Sequence, residues 1–376
     1  MRRFLTFVVA ASVVAGATTA AAPALADPIN GSGKAVTPKA TDIVGVGSDT
    51  DEFLFDQLSE HYNKAFPKRA QLYSWDALNP KTGLTDNIAT KAGCSKIPRP
   101  DGASAGLLAF YANTQIGPKG HKHFCIDYVR SSKGRSSTDP AKGKGGVVFV
   151  VLAKDAITYA TNGGKAGTNA PGNLTTAQLA AIYSCTDRTW NQVGGKTHKL
   201  IKPFLPQTGS GLRSSFLKII GVVTPGTCVN SSVQQNEGTD KQLLNNANAL
   251  VPYSVAKYLT QVYRSNPCTG PKVPGKNQFG CDQHGELRLN SINGTKATVG
   301  KGAAQTINPA FTPDFINTLY DVVHWASTKD SIPGYLEPIF ASARATVKGW
   351  LCTSKTAKKD IVAYGDLPSP LCGLGT

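Results

Sequence analysis

Beyond its first 26 residues the sequence has no run of about 18 apolar residues, so no later segment is long enough to span a bilayer as a helix. It has no C-x-x-C pair, which removes the commonest zinc and thiol-redox frameworks. It has no G-x-x-x-x-G-K-[ST], no G-x-G-x-x-G and no H-E-x-x-H, so the usual phosphate-loop, dinucleotide and metalloprotease signatures are missing. There is no internal repeat and no low-complexity domain. Acidic side chains are few, 24 Asp and Glu against 40 Lys and Arg. That imbalance favours an anionic ligand or an anionic wall polymer through long-range attraction. The basic residues are scattered, and the densest groups, Lys142 with Lys144 and Lys355 to Lys359, read as solvated loops and helix faces, so nucleic acid is not the expected partner.

The N-terminus sets the compartment. Arg2 and Arg3 precede an apolar stretch from Phe4 to about Ala22, and Ala24-Leu25-Ala26 supplies a small-x-small cleavage pattern. Residues 1–26 therefore read as a secretory signal peptide. No cysteine lies near the cleavage point, so lipid attachment there is ruled out. The mature chain, of about 350 residues from Asp27, suits two domains or one fold with two lobes. Loss of Arg2 and Arg3 lowers the net charge from +16 to +14. Eight cysteines in an exported chain imply a disulfide framework, with 105 pairings open in principle. Nearest-neighbour pairing, Cys94 with Cys125, Cys185 with Cys228, Cys268 with Cys281 and Cys352 with Cys372, keeps each bridge within a local segment and is the expected pattern. Each bridge contributes roughly 3–4 kcal/mol on the chain-entropy account. The cluster His121-x-His123-x-Cys125 is the one arrangement with a metal-like spacing, and no metal or other cofactor is expected from it.

Residues 27–40 are a flexible Gly/Pro/Lys-rich lead-in. Ile43 to Val46 then reads as a short buried strand, Gly47-Ser48-Asp49-Thr50 as a turn, and Glu52 to Phe66 as a helix with Phe53, Leu54, Leu58 and Tyr62 on one stripe. Strand, small-residue loop and helix form the unit of an α/β fold. Similar signals follow at Leu107 to Tyr111 (helix), Ile126 to Val129 (strand), Gly146 to Leu152 (the strongest strand, apolar on both faces) and Thr175 to Tyr183 (helix with a Thr cap). Phe204-Leu205 leads through Gly209-Ser210-Gly211 into a helix from Arg213 to Ile220. Residues 264–305 are turn-rich and read as an irregular, bridged excursion. Helices are expected over Pro309 to Trp325 and over Tyr335 to Cys352.

A helix N-terminus carries unpaired backbone N–H groups and the positive end of the helix dipole, so it cradles oxyanions. Gly47-Ser48-Asp49-Thr50, Gly102-Ala103-Ser104 and Thr208-Gly209-Ser210-Gly211 all precede expected helices, and their Ser and Thr add hydroxyl donors. Arg130-Ser131-Ser132 adds a guanidinium able to hold an oxyanion through two parallel hydrogen bonds. The candidate oxyanion ligands are Ser48, Asp49, Thr50, Ser104, Arg130, Ser131, Ser132, Ser210, Gly211 and Arg213. One such loop is as readily a plain cap. Four in one α/β chain point to an anion site.

The order of these motifs resembles the phosphate-binding proteins of ABC importers, a group with the type II periplasmic-binding-protein fold. The resemblance runs from about Ile43 to Trp350. It is strongest at Gly45 to Thr50, at Ile126 to Ser132 and at Thr208 to Gly211, and Leu174 to Tyr183 followed by Trp190-Asn191 is similar to a helix and Trp-Asn landmark of that family. It implies an α/β, two-lobed fold, each lobe a mixed sheet flanked by helices: residues 41–140 begin lobe 1, 141–250 form lobe 2, and 251–376 complete lobe 1. It also implies a dehydrated oxyanion, phosphate foremost, with an ABC permease as a further partner and a monomeric chain. Backbone N–H groups near Asp49 and Thr50, Ser104 or its neighbour Ala103, and the Ser210-Gly211 helix start would contact the ligand. Two departures bear on the ligand's identity. The family's usual Arg before the Ser-Gly pair is Pro206 here, and its usual acidic residue is Ser132. Arg130 or Arg213 is the expected replacement for the guanidinium, and Asp49 for the carboxylate acceptor, unless Asp49 only caps the following helix.

Two other classes compete. An extracellular wall-associated or sensing protein would keep the fold with a different or lost ligand, in line with the basic charge and the missing lipid anchor. A secreted ester or phosphoester hydrolase would use Gly102-Ala103-Ser104-Ala105-Gly106, which matches G-x-S-x-G by letter. The preceding Pro98-Arg99-Pro100-Asp101 is not the strand that motif needs, and no histidine is placed to act as base. The expectation is a binding protein rather than an enzyme.

Overall fold

The computed structural model of the chain describes residues 27–30, 32, 34–117, 122–141, 145–326, 331–341 and 348–376. The signal-peptide reading of residues 1–26, Lys142, Lys144 and His121 lie outside the described residues. Ile43–Gly47 (β1) leads through a short loop into Glu52–Ala65 (α1) and Leu72–Ser74 (β2). Ala103–Tyr111 (α2) precedes Tyr128–Ser131 (β3), and Val147–Asn162 (β4) follows. Thr176–Tyr183 (α3), Lys202–Pro206 (β5), Gly211–Ile219 (α4), Asn230–Val233 (β6), Ala249–Ser254 (β7) and Val255–Leu259 (α5) come next. Leu287–Leu289 (β8), Ile316–His324 (β9), Lys355–Ala363 (α6) and Leu367–Pro368 (β10) complete the frame.

These strands form one 10-stranded mixed sheet in the order β6-β5-β7-β4-β9-β3-β1-β2, with β8 and β10 also pairing to β4. The β1–β2, β1–β3, β5–β6 and β5–β7 pairs are parallel, and each joins strands separated by helix or loop. β4 is 16 residues long, roughly 50 Å at about 3.3 Å per residue. Its first part pairs with β9 and its second with β7, so it crosses from one end of the sheet to the other. It continues well past Leu152, where the apolar run ends, because Ala156, Ile157, Tyr159 and Ala160 stay buried.

Each end of the sheet has its own core. At one end Leu54, Phe55, Leu58 and Tyr62 of α1 pack with Tyr128, Leu319 and Ile361, while Leu107 and Phe110 of α2 cover Val44, Val46 and Val129 on the opposite face. At the other end Leu179, Ile182, Tyr183 and Trp190 pack with Ile157, Leu212, Phe216 and Leu250. Ile292 and Ala297 of the turn-rich excursion join this second core, with Ile307, Phe311 and Phe315 just beyond it, and β8 also fastens the excursion to β4. The Trp190 landmark is fully buried in it, its Nε1 donating to Asn248 Oδ1 at 3.0 Å. α3 starts with the expected Thr cap: Thr175 Oγ1 accepts from Gln178 N, and the Gln178 side chain accepts from Thr175 N.

Two helix expectations are corrected. Only Pro313–Phe315 of the Pro309 to Trp325 segment is helical, as a single 3-10 turn, and Ile316–His324 is the strand β9. Its apolar positions fit either period. Pairing with β3 on one side and β4 on the other, together with β-branched Ile316, Thr318, Val322 and Val323, decides for strand. The described part of Tyr335 to Cys352 is a run of turns and one short helix, Trp350–Thr353, with residues 342–347 outside the described set. Pro338 interrupts that segment, lacking an N–H and closing off a continuous helix.

All four nearest-neighbour disulfides are present, closing sequence separations of 31, 43, 13 and 20 residues. Beneath β1 lies a fully buried ion pair. Lys91 Nζ sits 2.6 Å from Asp127 Oδ2, which also accepts from Val44 N, while Tyr335 Oη donates to Asp127 Oδ1. Removing one member of such a pair strands the other in a low-dielectric interior. Lys91→Met is therefore expected to lower unfolding free energy by about 3–5 kcal/mol in urea denaturation, and a loss below about 1 kcal/mol would contradict this role.

Candidate functional site

Three helix starts meet where the two ends of the sheet face each other. The loop from β1 into α1 turns at Ser48, whose Oγ accepts from Thr50 N at 3.2 Å and donates to Ser132 Oγ at 3.0 Å. Asp51 holds the cap position of α1 without a side-chain cap bond. From the far end of the sheet, Lys257 Nζ donates to Asp49 O at 2.8 Å and to Glu52 Oε1 at 3.0 Å, and lies over the Phe53 ring. Asp49 is thus not a simple helix cap, since its carboxylate turns across the seam.

At α4, Ser210 Oγ accepts from Arg213 N at 3.0 Å and donates to Gln235 Oε1. The backbone there is packed too closely for a side chain: a methyl on Gly211 would lie 2.5 Å from Ser132 Oγ and 2.7 Å from Ala103 Cβ. Gly102, at φ +101°, opens α2 against the carbonyl of Gly209, and Ser104 N donates to that carbonyl at 2.9 Å. Ser215 Oγ of α4 and Asn317 Nδ2 of β9 both donate to Ser132 O.

Six of the ten candidate residues come together here: Ser48, Asp49, Thr50, Ser132, Ser210 and Gly211, all buried. Three of them, Asp49, Thr50 and Ser210, share a partner with no signature in the sequence. Gln235 Nε2 donates to Asp49 Oδ1 at 2.5 Å and to Thr50 Oγ1 at 2.7 Å, while its Oε1 accepts from Ser210. Asn236 Nδ2 adds a second donor to Asp49 Oδ1 at 3.0 Å. Gln207 also goes unnoticed in the sequence; its Nε2 donates to Asp101 and its Oε1 accepts from Gln235 N. These are amides in loops, with neither a periodicity nor a charge to mark them.

The other candidates lie elsewhere. The Arg130 guanidinium, expected at the anion, runs beneath the Ser48–Asp51 loop: Nε donates to Ser48 O at 2.9 Å, Nη1 to Ser74 Oγ and Nη2 to Trp75 O at 2.9 Å. The β3 register beside β1 directs it there, opposite the Asp51 carboxylate at 4.0 Å. Ser131 Oγ turns back to Lys133 O. Arg213, half-buried, donates from Nη1 to Pro206 O at 2.8 Å, so its guanidinium lies against the residue that stands for the family's Arg. Ser104 sits on the wall of a cleft of about 740 Å³ beside the seam, with Asp101, Gln207 and Gly209 among its other walls. It is the second residue of α2 rather than the tip of a strand-to-helix elbow, so the hydrolase geometry is not formed. Cys125 of the metal-like cluster is committed to its bridge with Cys94.

The seam is rich in buried carboxyl groups. Burial pushes Asp49 well above the ordinary carboxylate range against the opposing pull of Lys257. Burial likewise raises Asp51 to about 7, with Arg130 opposing, and Glu237 to about 7, with Glu52 adding to the rise. Both Asp51 carboxylate oxygens are buried without a hydrogen-bond partner. Among the described residues, the fixed positive charge beside Asp49 and Asp51 comes from Lys257 and, behind the loop, Arg130. Hydroxyl and amide hydrogen bonding therefore defines this site more than net charge does.

A family model described as a PBP superfamily domain matches residues 32–306. Among solved structures, an ABC-type phosphate transport receptor from Vibrio cholerae aligns with 87% of this chain and 100% of its own, at 17% identity and a TM-score of 0.50. A putative phosphate ABC transporter substrate-binding protein from Clostridium perfringens, solved with bound phosphate, aligns with 87% of this chain and 99% of its own, at 12% identity and a TM-score of 0.54. At such identities the likeness establishes the shared mixed α/β fold. No curated protein matches the chain in sequence.

The Asp51 carboxyl yields a pH prediction. Burial holds its folded-state pKa at about 7, above the ordinary aspartate value of 3.8, so the native state holds a proton that the unfolded chain releases. Its contribution to stability is complete below about pH 4 and is lost as pH rises through about 7. Stability measured by urea denaturation should therefore fall less between about pH 5 and about pH 8 in Asp51→Asn than in the wild type. An equal fall in both proteins would show that Asp51 does not carry this proton.

Proposed function

We infer that this chain, which belongs to the PBP superfamily, is an exported solute-binding protein that captures an inorganic oxyanion, phosphate foremost, for ABC-type uptake or for scavenging. The observation that carries this reading is the buried meeting of Asp49 and Thr50 at the start of α1 with Ser210 and Gly211 at the start of α4. Two helix dipoles and their hydroxyls aimed at one point from opposite ends of a sheet suit a small dehydrated anion. In the proposed arrangement residues 41–140 and the C-terminal segment form one lobe and the chain after 141 begins the other, with β4 and β9 as the crossing strands. Four disulfides support export. Among the described residues no helix is long and apolar enough to cross a membrane. The permease partner and the monomeric state belong to this proposal.

The Asp49 carboxylate gives the proposed site its selectivity. As an acceptor its Oδ1 favours an oxyanion that retains a proton to donate over a fully ionised one that has none. Arg130 contributes by holding the Ser48–Asp51 loop from beneath. A second reading, a wall-associated or sensing protein with a different or lost ligand, is favoured by one observation: the protein's own Gln235 already engages Asp49, Thr50 and Ser210.

Calorimetry of the mature protein with phosphate, arsenate and sulfate at neutral pH separates these. Phosphate and arsenate should bind, with sulfate weaker by roughly 100-fold, and Asp49→Asn should narrow that gap. Sulfate binding equal to phosphate would remove the acceptor role of Asp49. No heat and no rise in Tm with any oxyanion would establish the second reading, since a ligand that binds only the folded state must stabilise it.

A further inference from the structure

We propose that the Gln235 side chain stands in the oxyanion position as an internal competitor, and that an anion enters this site by displacing it; the inference rests on the oxyanion reading above. The carboxamide bridges the two helix starts. On the α4 side Oε1 accepts the Ser210 hydroxyl proton, and on the α1 side Nε2 reaches Asp49 Oδ1 at 2.5 Å and Thr50 Oγ1 at 2.7 Å. It thereby offers an acceptor to Ser210 and a donor to Asp49, the same polarity that a singly protonated oxyanion presents with its oxygens and its hydroxyl. An anion that engages Ser210, Thr50 and Asp49 must take these contacts from Gln235, because the residue is fully buried.

The surroundings fix the backbone of this residue and leave its side chain as the movable part. Gln235 N donates to Gln207 Oε1 at 3.0 Å. The next residue, Asn236, holds φ +58°, a left-handed conformation that Asn tolerates better than most side chains. Its carbonyl accepts from Tyr253 Oη and from Gln261 Nε2, and its Oδ1 accepts from Ser254 N at 3.0 Å. Asn236 Nδ2 keeps its bond to Asp49 whichever way Gln235 points. Release of the carboxamide therefore requires rotation about the Gln235 side-chain torsions, with the turn itself in place.

Such a competitor sets the working range of the site. When the binding-competent form is a fraction of the population, the apparent dissociation constant rises in inverse proportion to that fraction. Gln235 therefore shifts the site toward higher phosphate concentrations without changing the contacts that discriminate among anions.

The test titrates inorganic phosphate into the mature wild-type protein and Gln235→Ala by calorimetry. The variant should bind about tenfold tighter or more, as removal of a competing population requires. Should Gln235→Ala fail to fold, Gln235→Asn, one methylene too short to span Asp49 and Ser210, takes its place with the same expectation. A variant that binds equally or more weakly while the wild type binds phosphate overturns the competitor role and leaves the oxyanion reading standing. Absence of binding by both proteins overturns that reading and this inference with it. In the wild type, the Gln235 side-chain amide protons should lose exchange protection when phosphate is added. Unchanged protection under saturating phosphate would equally overturn the proposal.

Discussion

The bridge from the Ser48–Asp51 loop to the Gln235–Asn236 turn is the contact on which the arrangement of the site depends. Two cores pack at opposite ends of one sheet, and β4 and β9 run between them. A sheet of this kind leaves its ends free to approach or part at the seam. The seam is closed by side chains: Lys257 to Glu52 and the Asp49 carbonyl, Asn236 and Gln235 to the Asp49 carboxylate, Ser215 to Ser132, and Gln207 to Asp101. Each is buried or nearly so, where a hydrogen bond is stronger and an unpaired group costlier than in water. The helix starts at α1, α2 and α4 are brought within reach of one another because these bonds hold them there.

The same seam concentrates buried acid. Among the described residues the cations acting most on Asp49 and Asp51 are Lys257 and Arg130, and burial raises both carboxyl groups. A structure selected for stability alone would not leave both oxygens of Asp51 unsatisfied in its interior. Imperfect pairing of this kind is common where a site must exchange one set of partners for another. The chain's excess of basic residues therefore does not reach the centre of the site as fixed charge. In the proposed site it would act over distance, while selection at short range would fall to hydroxyls, amides and the Asp49 carboxyl group.

Local features were largely legible in the sequence. The strand–loop–helix at Ile43 to Phe66, the Thr175 cap, the helix opened by Gly209-Ser210-Gly211 and all four disulfide pairings follow from propensity, capping chemistry and chain proximity, which act over short separations. Features set by distant partners were not. Pro309 to Trp325 reads as a helix, and only pairing with β3 and β4 makes most of that segment a strand. Arg130 looked like an anion ligand from its neighbours in sequence, yet its side-chain direction is fixed by register against β1. Gln235, the residue that ties the candidate site together, is an amide in a loop far from every motif. Nothing in composition, spacing or resemblance distinguishes it from its neighbour Gln234.

The central claim is that an oxyanion and the Gln235 carboxamide compete for the same hydroxyls. A crystal structure of the protein grown in phosphate is the decisive test. Tetrahedral density is expected within hydrogen-bond reach of Thr50 and Ser210, with the Gln235 side chain turned away from Asp49. Phosphate bound elsewhere, or bound there with the Gln235 bridge intact, would contradict it.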